Sequence, residues 1–397
     1  MKARFDVNPE VFPALHLNGH TVALSVVNGV IASITPTAAV ARAVILPLPI
    51  EPHVHLDKTY TADRCHVEKP GLFGAIEAMV QDLGNWTAQD LRGRITRGMQ
   101  DAHAQGVAAI RSHVDWGSPE VPLAWHVMAE VAQDWHGILP LQRAALSPLD
   151  LLGDPDHGHR IAAKVAQDGG VLGCFIYRNS DLVARLSRVF AYAERYGLLL
   201  DFHVDEGLEP EAAGFDEIVR LTAQHAMAGR VLCGHACSLG IRPAADVARV
   251  LAAAGRAGVA LTVMPTTNLH LQDMQPGRTP RERGLAPMHE LRAAGVQVLL
   301  GTDNVRDPFY PYGSYDPIEI LRLAALVAHL NPADWLDCIT TAPARAMGLP
   351  APHIAQGQRA DFILIDGANW PDAIASPRAA RQIFRAGVAQ THGKTAQ

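Results

Sequence analysis

The sequence predicts an α/β protein, a (β/α)8 TIM barrel joined to a small β-sandwich domain formed from both termini. From about residue 43, eight short apolar runs follow one another, and amphipathic helical stretches separate them. Strands that alternate with helices indicate parallel βαβ units, and eight units over roughly 250 residues match the size of such a barrel. The two ends of the chain instead have the character of short antiparallel strands.

The eight apolar runs predict the barrel strands. In chain order they are AVILPLPIEPHVH, VAAIRSHVD, ILPLQRAAL, VLGCFIYR, LLLDFHVDE, VLCGHAC, VALTVMPTT and VQVLLGTDN. Stretches such as DLVARLSRVFAYAERYG, between two of these runs, have apolar residues at three-and-four spacing and a glycine near the end, as helices do. We therefore expect residues 49–344 to form the (β/α)8 barrel domain.

The terminal segments predict the second domain. Residues 16–36 contain two Asn-Gly pairs between apolar stretches, which is a strong hairpin signal. Residues 356–390 have a similar β-rich character. The economical interpretation is one small β-sandwich made of residues 1–48 and 345–397.

Composition limits the classes of partner. The chain has 397 residues, 48% of them hydrophobic and 19% charged, with a formal charge of −6. This balance is typical of a globular protein and gives no electrostatic footprint for nucleic acid. Because the sequence lacks a signal-peptide pattern and an apolar run of about 18 residues, we expect no membrane partner. Five scattered cysteines favour reduced thiols and a cytoplasmic location, while a homo-oligomer is compatible with the sequence.

The segment EPHVHLDK, residues 51–58, places two histidines one residue apart. Residues i and i+2 of a strand point the same way, so His53 and His55 are expected to project together from a strand end. Two imidazoles on one side are a pair of metal ligands. The alternative for an isolated motif of this kind is a polar surface turn.

The other apolar runs decide between these two interpretations. Polar residues at or after the expected strand ends are His53, His55, His113, Asp115, His203, Asp205, Glu206, His235, Asn268, Asp303 and Asn304. Catalytic residues of a (β/α)8 barrel come from these carboxyl ends. The two histidines are therefore expected to form one corner of a converging site.

Three imidazoles and one carboxylate suit a catalytic divalent ion such as Zn²⁺ or Fe²⁺. The predicted ligands are His53, His55, His203 and Asp303. Taken alone, each could instead be a hydrogen-bonded histidine or a helix-capping aspartate at a strand end. His113 remains open between such a structural role, a substrate contact and support of a metal ligand.

A metal-bound water becomes a nucleophile near neutral pH, but the reaction also needs a proton shuttle. Glu206 lies three residues after His203, where the chain can bring it back over the ion. His235, on the next strand, could orient the hydroxide and stabilise developing charge. Lys58 and Asp57 are expected to form a buried ion pair that supports the first loop.

Several motifs together resemble the amidohydrolase superfamily and, within it, the cytosine deaminase-like group. They are EPHVHLDK, SHVD, HVDE, GH before a small residue, NLHLQ and GTDNVRDPFYPYG, between residues 51 and 313. The resemblance implies metal ligands at His53, His55, His203 and Asp303, with Glu206, His235 and Asp303 catalytic. The fourth run has no lysine that could bridge two metals, so one ion per chain is expected.

The substrate is less well defined by this resemblance. Asn304 stands where cytosine deaminase usually has a second aspartate, and Ser147 or Pro148 stands where it has a glutamine that contacts the pyrimidine. The predicted substrate-binding residues are Asn304, Ser147, Pro148, Arg178, His113, Asn268 and Phe309. Alternatively, Arg178 and Arg306 point to solvent or pair with nearby aspartates such as Asp181 and Asp307.

These features favour a metal-dependent aminohydrolase of an amino-substituted nitrogen heterocycle, in which metal-bound hydroxide attacks a ring carbon and ammonia is released. The partner would be a small heterocyclic molecule other than cytosine. One alternative is release of an alkylamine from a triazine-like ring, similar to N-isopropylammelide amidohydrolase. A second, less favoured alternative is a non-catalytic metal-binding protein.

Overall fold

The structure is a computed structural model that describes residues 10–376 and 379–390, and these residues form two sheets. The strands are β1 (Glu10–Leu17), β2 (His20–Val27), β3 (Val30–Pro36), β4 (Ala43–Pro47), β5 (Glu51–Val54), β6 (Ile110–Asp115), β7 (Leu141–Pro148), β8 (Val171–Ile176), β9 (Leu200–Val204), β10 (Val231–His235), β11 (Ala260–Val263), β12 (Gln297–Leu300), β13 (Phe362–Asp366), β14 (Arg381–Arg385) and β15 (Val388–Ala389).

Thirteen α-helices lie within the described residues. They are α1 (Leu72–Asp82), α2 (Ala88–Ala104), α3 (Leu123–Asp134), α4 (Leu149–Leu152), α5 (Pro155–Gln167), α6 (Leu182–Tyr196), α7 (Gly214–Gln224), α8 (Ala244–Ala257), α9 (Pro265–Leu271), α10 (Met288–Ala293), α11 (Pro317–Val327), α12 (Thr341–Ala346) and α13 (Trp370–Ala375). Short 3-10 helices cover Leu83–Asn85, Cys237–Gly240 and Pro332–Ile339.

Strands β5 to β12 form the eight-stranded sheet, in chain order and with parallel neighbours. The sheet closes where Val54 of β5 bridges to Asp303, just beyond β12. Every residue of β9 and β10 is buried, because helices cover the outside of the sheet and side chains fill its inside. The predicted (β/α)8 TIM barrel is confirmed: seven of the eight apolar runs contain a whole barrel strand, and the third run covers all but the last two residues of β7.

The seven-stranded sheet combines both ends of the chain, in the order β15-β14-β13-β4-β1-β2-β3. Asn18–Gly19 and Asn28–Gly29 connect the first three strands, and all four residues have positive φ, as tight hairpin turns require. Phe12 packs edge-on against Phe362, with ring centroids 5.5 Å apart. The small β-sheet domain predicted from both termini is confirmed.

The first apolar run differs from its prediction, because it supplies two strands instead of one. β4 pairs antiparallel with β13 in the terminal sheet, whereas β5 pairs with β6 in the barrel. Pro47 is the last residue of β4 and Pro49 lies between the two strands, and proline cannot donate to a ladder of backbone hydrogen bonds. The chain therefore passes from one sheet to the other at this point.

The division of the chain at residues 48 and 345 stays a prediction. Of the expected terminal domain, residues 1–9, 377–378 and 391–397 lie outside the described residues. Among the described helices, none combines the length and apolar character needed to cross a bilayer.

Candidate active site

Four side chains converge at the carboxyl end of the barrel. The Nε2 atom of His203 lies 3.1 Å from the Nε2 atoms of both His53 and His55. The Nε2 atom of His55 lies 3.2 Å from Oδ1 of Asp303, and that of His53 lies 3.6 Å from the same oxygen. The structure therefore brings together the four residues that the sequence predicted as ligands, although they belong to strands far apart in the chain.

The closure of the barrel positions two of these four side chains. The backbone N–H of Asp303 donates to the carbonyl of His53 over 2.9 Å. Below this contact, the buried carboxyl group of Glu51 accepts the N–H groups of His53 (3.1 Å) and Thr302 (3.2 Å). Burial raises the pKa of Glu51 to about 8. Glu51 was not among the site residues predicted from the sequence, because a local pattern does not show which backbone N–H groups a carboxyl group will accept.

The donor atoms of this cluster fit a divalent metal ion. Burial lowers the pKa values of His53, His55 and His203 well below the ordinary value, which keeps these imidazoles neutral. A neutral imidazole is the form that binds metal. Both carboxylate oxygens of Asp303 are buried without a hydrogen-bond partner, and such a group is costly unless a cation compensates it. Three imidazole nitrogens and one carboxylate match the ligand preferences of zinc or iron.

Glu206 and His235 lie beside the cluster. Oε1 of Glu206 is 3.3 Å from Nδ1 of His235, and both side chains are almost fully buried. Burial raises the pKa of Glu206 well above the ordinary value, and the nearby carboxylate of Asp303 raises it further. A carboxyl group in this environment can take up and return a proton near neutral pH.

Asn268 contacts His235. Its Nδ2 atom lies 3.0 Å from Nδ1 of His235, and because an amide nitrogen only donates, Nδ1 accepts in this contact. Burial lowers the pKa of His235 to about 4, so the neutral ring carries its proton on Nε2, which has no hydrogen-bond partner in the structure. His235 and Asp303 also have left-handed backbone, with φ of 69° and 60°, a strained conformation that is frequent at active sites.

The loop after β5 carries a buried charge cluster. The ammonium group of Lys58 donates to Oδ1 of Asp115 over 2.9 Å, and Asp57 accepts the backbone N–H of Asp115. The direct partner of Lys58 is therefore Asp115 and not Asp57, because these residues project from neighbouring strand ends. Burial alone would lower the pKa of Lys58, but the two carboxylates outweigh it and raise the value.

A cavity of about 630 Å³ opens onto the cluster. The catalytic and ligand candidates that line it are His55, His203, Glu206, His235 and Asp303. The predicted substrate-binding residues that line it are Asn304, Pro148 and Phe309. The Asn304 amide donates to Asp307 over 2.7 Å, which fixes its orientation at the cavity wall.

The other predicted substrate-binding residues are not among those that line the cavity. His113, Ser147 and Asn268 are fully buried, and the ring of His113 packs against that of His53 with centroids 4.1 Å apart. Arg178 is 62% exposed and pairs with Glu209 over 2.7 Å. The structure thus brings the metal and catalytic candidates together more closely than the substrate-binding candidates.

The eight parallel strands form a barrel, and several of them end in histidine or aspartate side chains that could bind a metal ion. This combination defines the class of barrel hydrolases with a metal-binding site. The chain belongs to the amidohydrolase family, whose model matches residues 74–392. It is therefore a hydrolase that acts on carbon–nitrogen bonds, and the predicted superfamily is confirmed.

Individual relatives support the same placement. The chain is 34% identical to the pterin deaminase of Rhizobium rhizogenes over 97% of this chain and 93% of that protein. Its structure resembles that of 5-methylcytosine deaminase from Klebsiella pneumoniae, with a TM-score of 0.85, 25% identity and 97% of each chain covered. It also resembles N-isopropylammelide isopropylaminohydrolase from Burkholderia multivorans, with a TM-score of 0.78, 25% identity and coverage of 96% and 97%. The predicted cytosine deaminase-like group is confirmed by the deaminases among them.

Proposed function

We propose that the protein is a metal-dependent deaminase that hydrolyses the exocyclic C–NH₂ bond of an amino-substituted nitrogen heterocycle and releases ammonia. The observation that carries this proposal is the position of Glu206, buried beside His235 at the edge of the three-imidazole and carboxylate cluster. In this arrangement Glu206, which can transfer a proton, lies next to the position where a water nucleophile would form. The full-length similarity to a pterin deaminase supports the same chemistry.

The proposed ligands of the metal are His53, His55, His203 and Asp303. When bound, a divalent ion would lower the pKa of a water molecule towards neutrality and so supply the nucleophile. One ion per chain is proposed, because β8, the fourth barrel strand, contains no lysine that could bridge a second. Zinc and iron(II) both suit this donor set.

Three side chains carry the proposed proton transfers. Glu206 takes a proton from the attacking water and delivers it to the ring nitrogen next to the carbon under attack. His235 donates its Nε2 proton in a hydrogen bond to the oxygen that adds to this carbon. Asp303 helps to pass the second proton of the water to the leaving amine, so that ammonia departs and a ring carbonyl remains.

Asn268 is proposed as a positioning residue for this reaction. Its amide donates to Nδ1 of His235 and thereby holds the tautomer in which Nε2 is the donor. The sequence predicted Asn268 as a substrate contact, and the hydrogen bond supports an indirect role instead.

The proposed substrate is larger than cytosine, and a two-ring pterin is the leading candidate. The relative from Rhizobium rhizogenes is a pterin deaminase, and the cavity of about 630 Å³ falls in the size range of sites for drug-sized ligands, ~300–1,000 Å³. Neither Ser147 nor Pro148 can offer the paired donor and acceptor of a glutamine amide. Cytosine is therefore expected to be a poor substrate.

The five cysteines are free thiols, and four of them are buried. This state supports the proposal of a reducing, cytoplasmic environment.

The proposal is tested by measuring ammonia release from pterins, aminopyrimidines, aminopurines and aminotriazines with zinc- or iron-loaded protein. We expect kcat/KM above ~10⁴ M⁻¹s⁻¹ for at least one two-ring substrate and a much lower value for cytosine. An N-alkylated aminotriazine separates the alternative, since alkylamine instead of ammonia would then be the product. No ammonia from any ring, or cytosine as the best substrate, would contradict the proposal.

A further inference from the structure

Helix α1 is an addition to the barrel that covers its catalytic end. It lies in the connection between β5 and α2, and α2 is the helix that completes this βα unit. Leu72 and Met79 of α1 form a small core with Leu271, at the end of α9 after β11, and with Phe309, in the loop after β12. Such loops at the carboxyl ends of the strands determine what a barrel of this kind binds.

One face of α1 lines the catalytic cavity instead of packing fully against protein. The lining residues are Leu72, Ile76, Met79, Val80 and Leu83 just beyond its end. Their spacing of four, three, one and three residues places them on a single side of a helix. All five side chains are apolar, so this wall offers no hydrogen bonds to a ligand.

The loop between β6 and α3 contributes a second wall of the same cavity. Trp116 is buried there, with its ring 5.3 Å from that of Trp125, and its backbone N–H donates to the carbonyl of Leu146 over 2.9 Å. Pro122 and Leu123 continue this wall outwards. The two walls define an apolar trough, consisting of Leu72, Ile76, Met79, Val80 and Leu83 in the first wall and Trp116, Pro122 and Leu123 in the second.

The trough connects the catalytic cluster to solvent. The same cavity is lined by Glu206 and Asp303 at its inner end. At its outer end Val80, Leu83 and Leu123 are 60%, 46% and 46% exposed. An apolar channel that begins at the reacting groups is suited to a part of the substrate, because a ring bound at the cluster would project its far edge along the channel.

We propose that the trough binds an apolar alkyl or aryl substituent on the heterocycle, carried on the ring edge opposite the amino group. This inference rests on the proposed deaminase function and specifies its substrate class as a substituted ring. The charged side chains nearest the trough, Lys58 and Asp115, neutralise each other at 2.9 Å, so no unpaired charge in this wall favours an ionic substituent.

The first test compares one amino-heterocycle with its propyl- and phenyl-substituted forms, using ammonia release by the metal-loaded enzyme. Because even one methylene group in an apolar pocket changes kcat/KM by roughly tenfold or more, we expect at least ~10-fold higher kcat/KM for the substituted rings. Equal values, or a preference for the unsubstituted ring, would overturn the inference. Turnover of the unsubstituted ring would at the same time support the proposed function.

Two surface variants make the test specific. Val80→Asp places a charge in the trough, and Leu326→Asp is the matched control on α11, where Leu326 is 73% exposed. We expect Val80→Asp to lose the preference for the substituted ring by ~10-fold or more, while Leu326→Asp keeps it. An unchanged preference in Val80→Asp would overturn the inference.

Two further measurements separate the remaining outcomes. If no ring releases ammonia, the proposed function fails, and calorimetric Kd values for the substituted and unsubstituted rings still test the trough, with tighter binding of the substituted ring expected.

Light scattering on both aspartate variants tests whether a second copy of the chain covers the trough. A dimer that dissociates only in Val80→Asp would assign this face to assembly and overturn the inference.

Discussion

The carboxyl group of Glu206 lies 3.3 Å from His235 and is buried with it. We expect Glu206→Gln to lower kcat by ~10²–10⁴-fold, the contribution typical of general acid–base groups, because a glutamine amide cannot take up or return the proton. Steady-state ammonia release measures this effect.

The metal content of Glu206→Gln should equal that of the wild type, since Glu206 is not among the proposed ligands. Glu211→Gln is the matched control, because Glu211 is an exposed residue of the same loop and its variant should keep normal kcat. Near-normal kcat in Glu206→Gln would exclude the shuttle role.

His203 connects the two histidines of the first barrel strand, since its Nε2 atom lies 3.1 Å from both. Elemental analysis should find one divalent ion per chain in the wild type and strongly reduced metal in His203→Ala, because a three-residue donor set binds an ion less tightly. His126→Ala, at an exposed position of α3, should retain the metal. Two tightly bound ions per wild-type chain, or full metal content in His203→Ala, would be incompatible with the proposed site.

The sequence reveals some of these residues and conceals others for physical reasons. His53 and His55 are recognisable because the alternation of strand side chains fixes their common direction. The indirect position of Asn268 and the charge pair of Lys58 and Asp115 depend on contacts between different strands, which no local pattern encodes. Glu51 was overlooked because a carboxyl group beside apolar residues gives no sign of the backbone groups that it accepts.

At the scale of elements, hydrophobic runs were sufficient to locate the strands but not to assign them to sheets. The run AVILPLPIEPHVH supplies β4 to one sheet and β5 to the other, and because its apolar residues continue from β4 up to the start of β5, the pattern does not mark the change of sheet. Helix α1 could not be placed over the cavity from sequence either, because an apolar helix face has the same spacing whether it contacts protein or substrate.

A buried ion pair connects two strands inside the barrel. Arg111 of β6 donates to Asp201 of β9 over 2.8 Å, and both side chains are almost fully inaccessible. Asp201→Ala leaves the guanidinium charge buried and unpaired, which typically costs ~3–5 kcal/mol, and we expect the free energy of unfolding to fall by about that amount. Chemical denaturation measures this change.

Glu130→Ala is the control for this prediction. Glu130 pairs with Arg92 at the surface, and exposed pairs contribute little to stability, so the unfolding midpoint should stay close to that of the wild type. A similar midpoint for Asp201→Ala would show that the buried pair does not stabilise the barrel.

At the scale of the whole molecule, strands from the N-terminal and C-terminal parts of the chain share one sheet, in which β13 pairs with β4. The Asn-Gly turns made the N-terminal hairpins predictable, because these turns are local. The register between β4 and β13, in which Leu46 lies opposite Ile363, joins residues far apart in the chain and required the structure. The barrel positions the site, and the terminal sheet lies apart from it.

We propose that the barrel and its site together perform hydrolytic deamination of a heterocycle. The most direct measurement is the mass of the product formed in water labelled with heavy oxygen, together with the ammonia released, for the best substrate of the ammonia screen. We expect one labelled oxygen in the ring product and one ammonia for each ring converted, with both absent in metal-free protein. A product without the label, or an alkylamine in place of ammonia, would contradict the proposal.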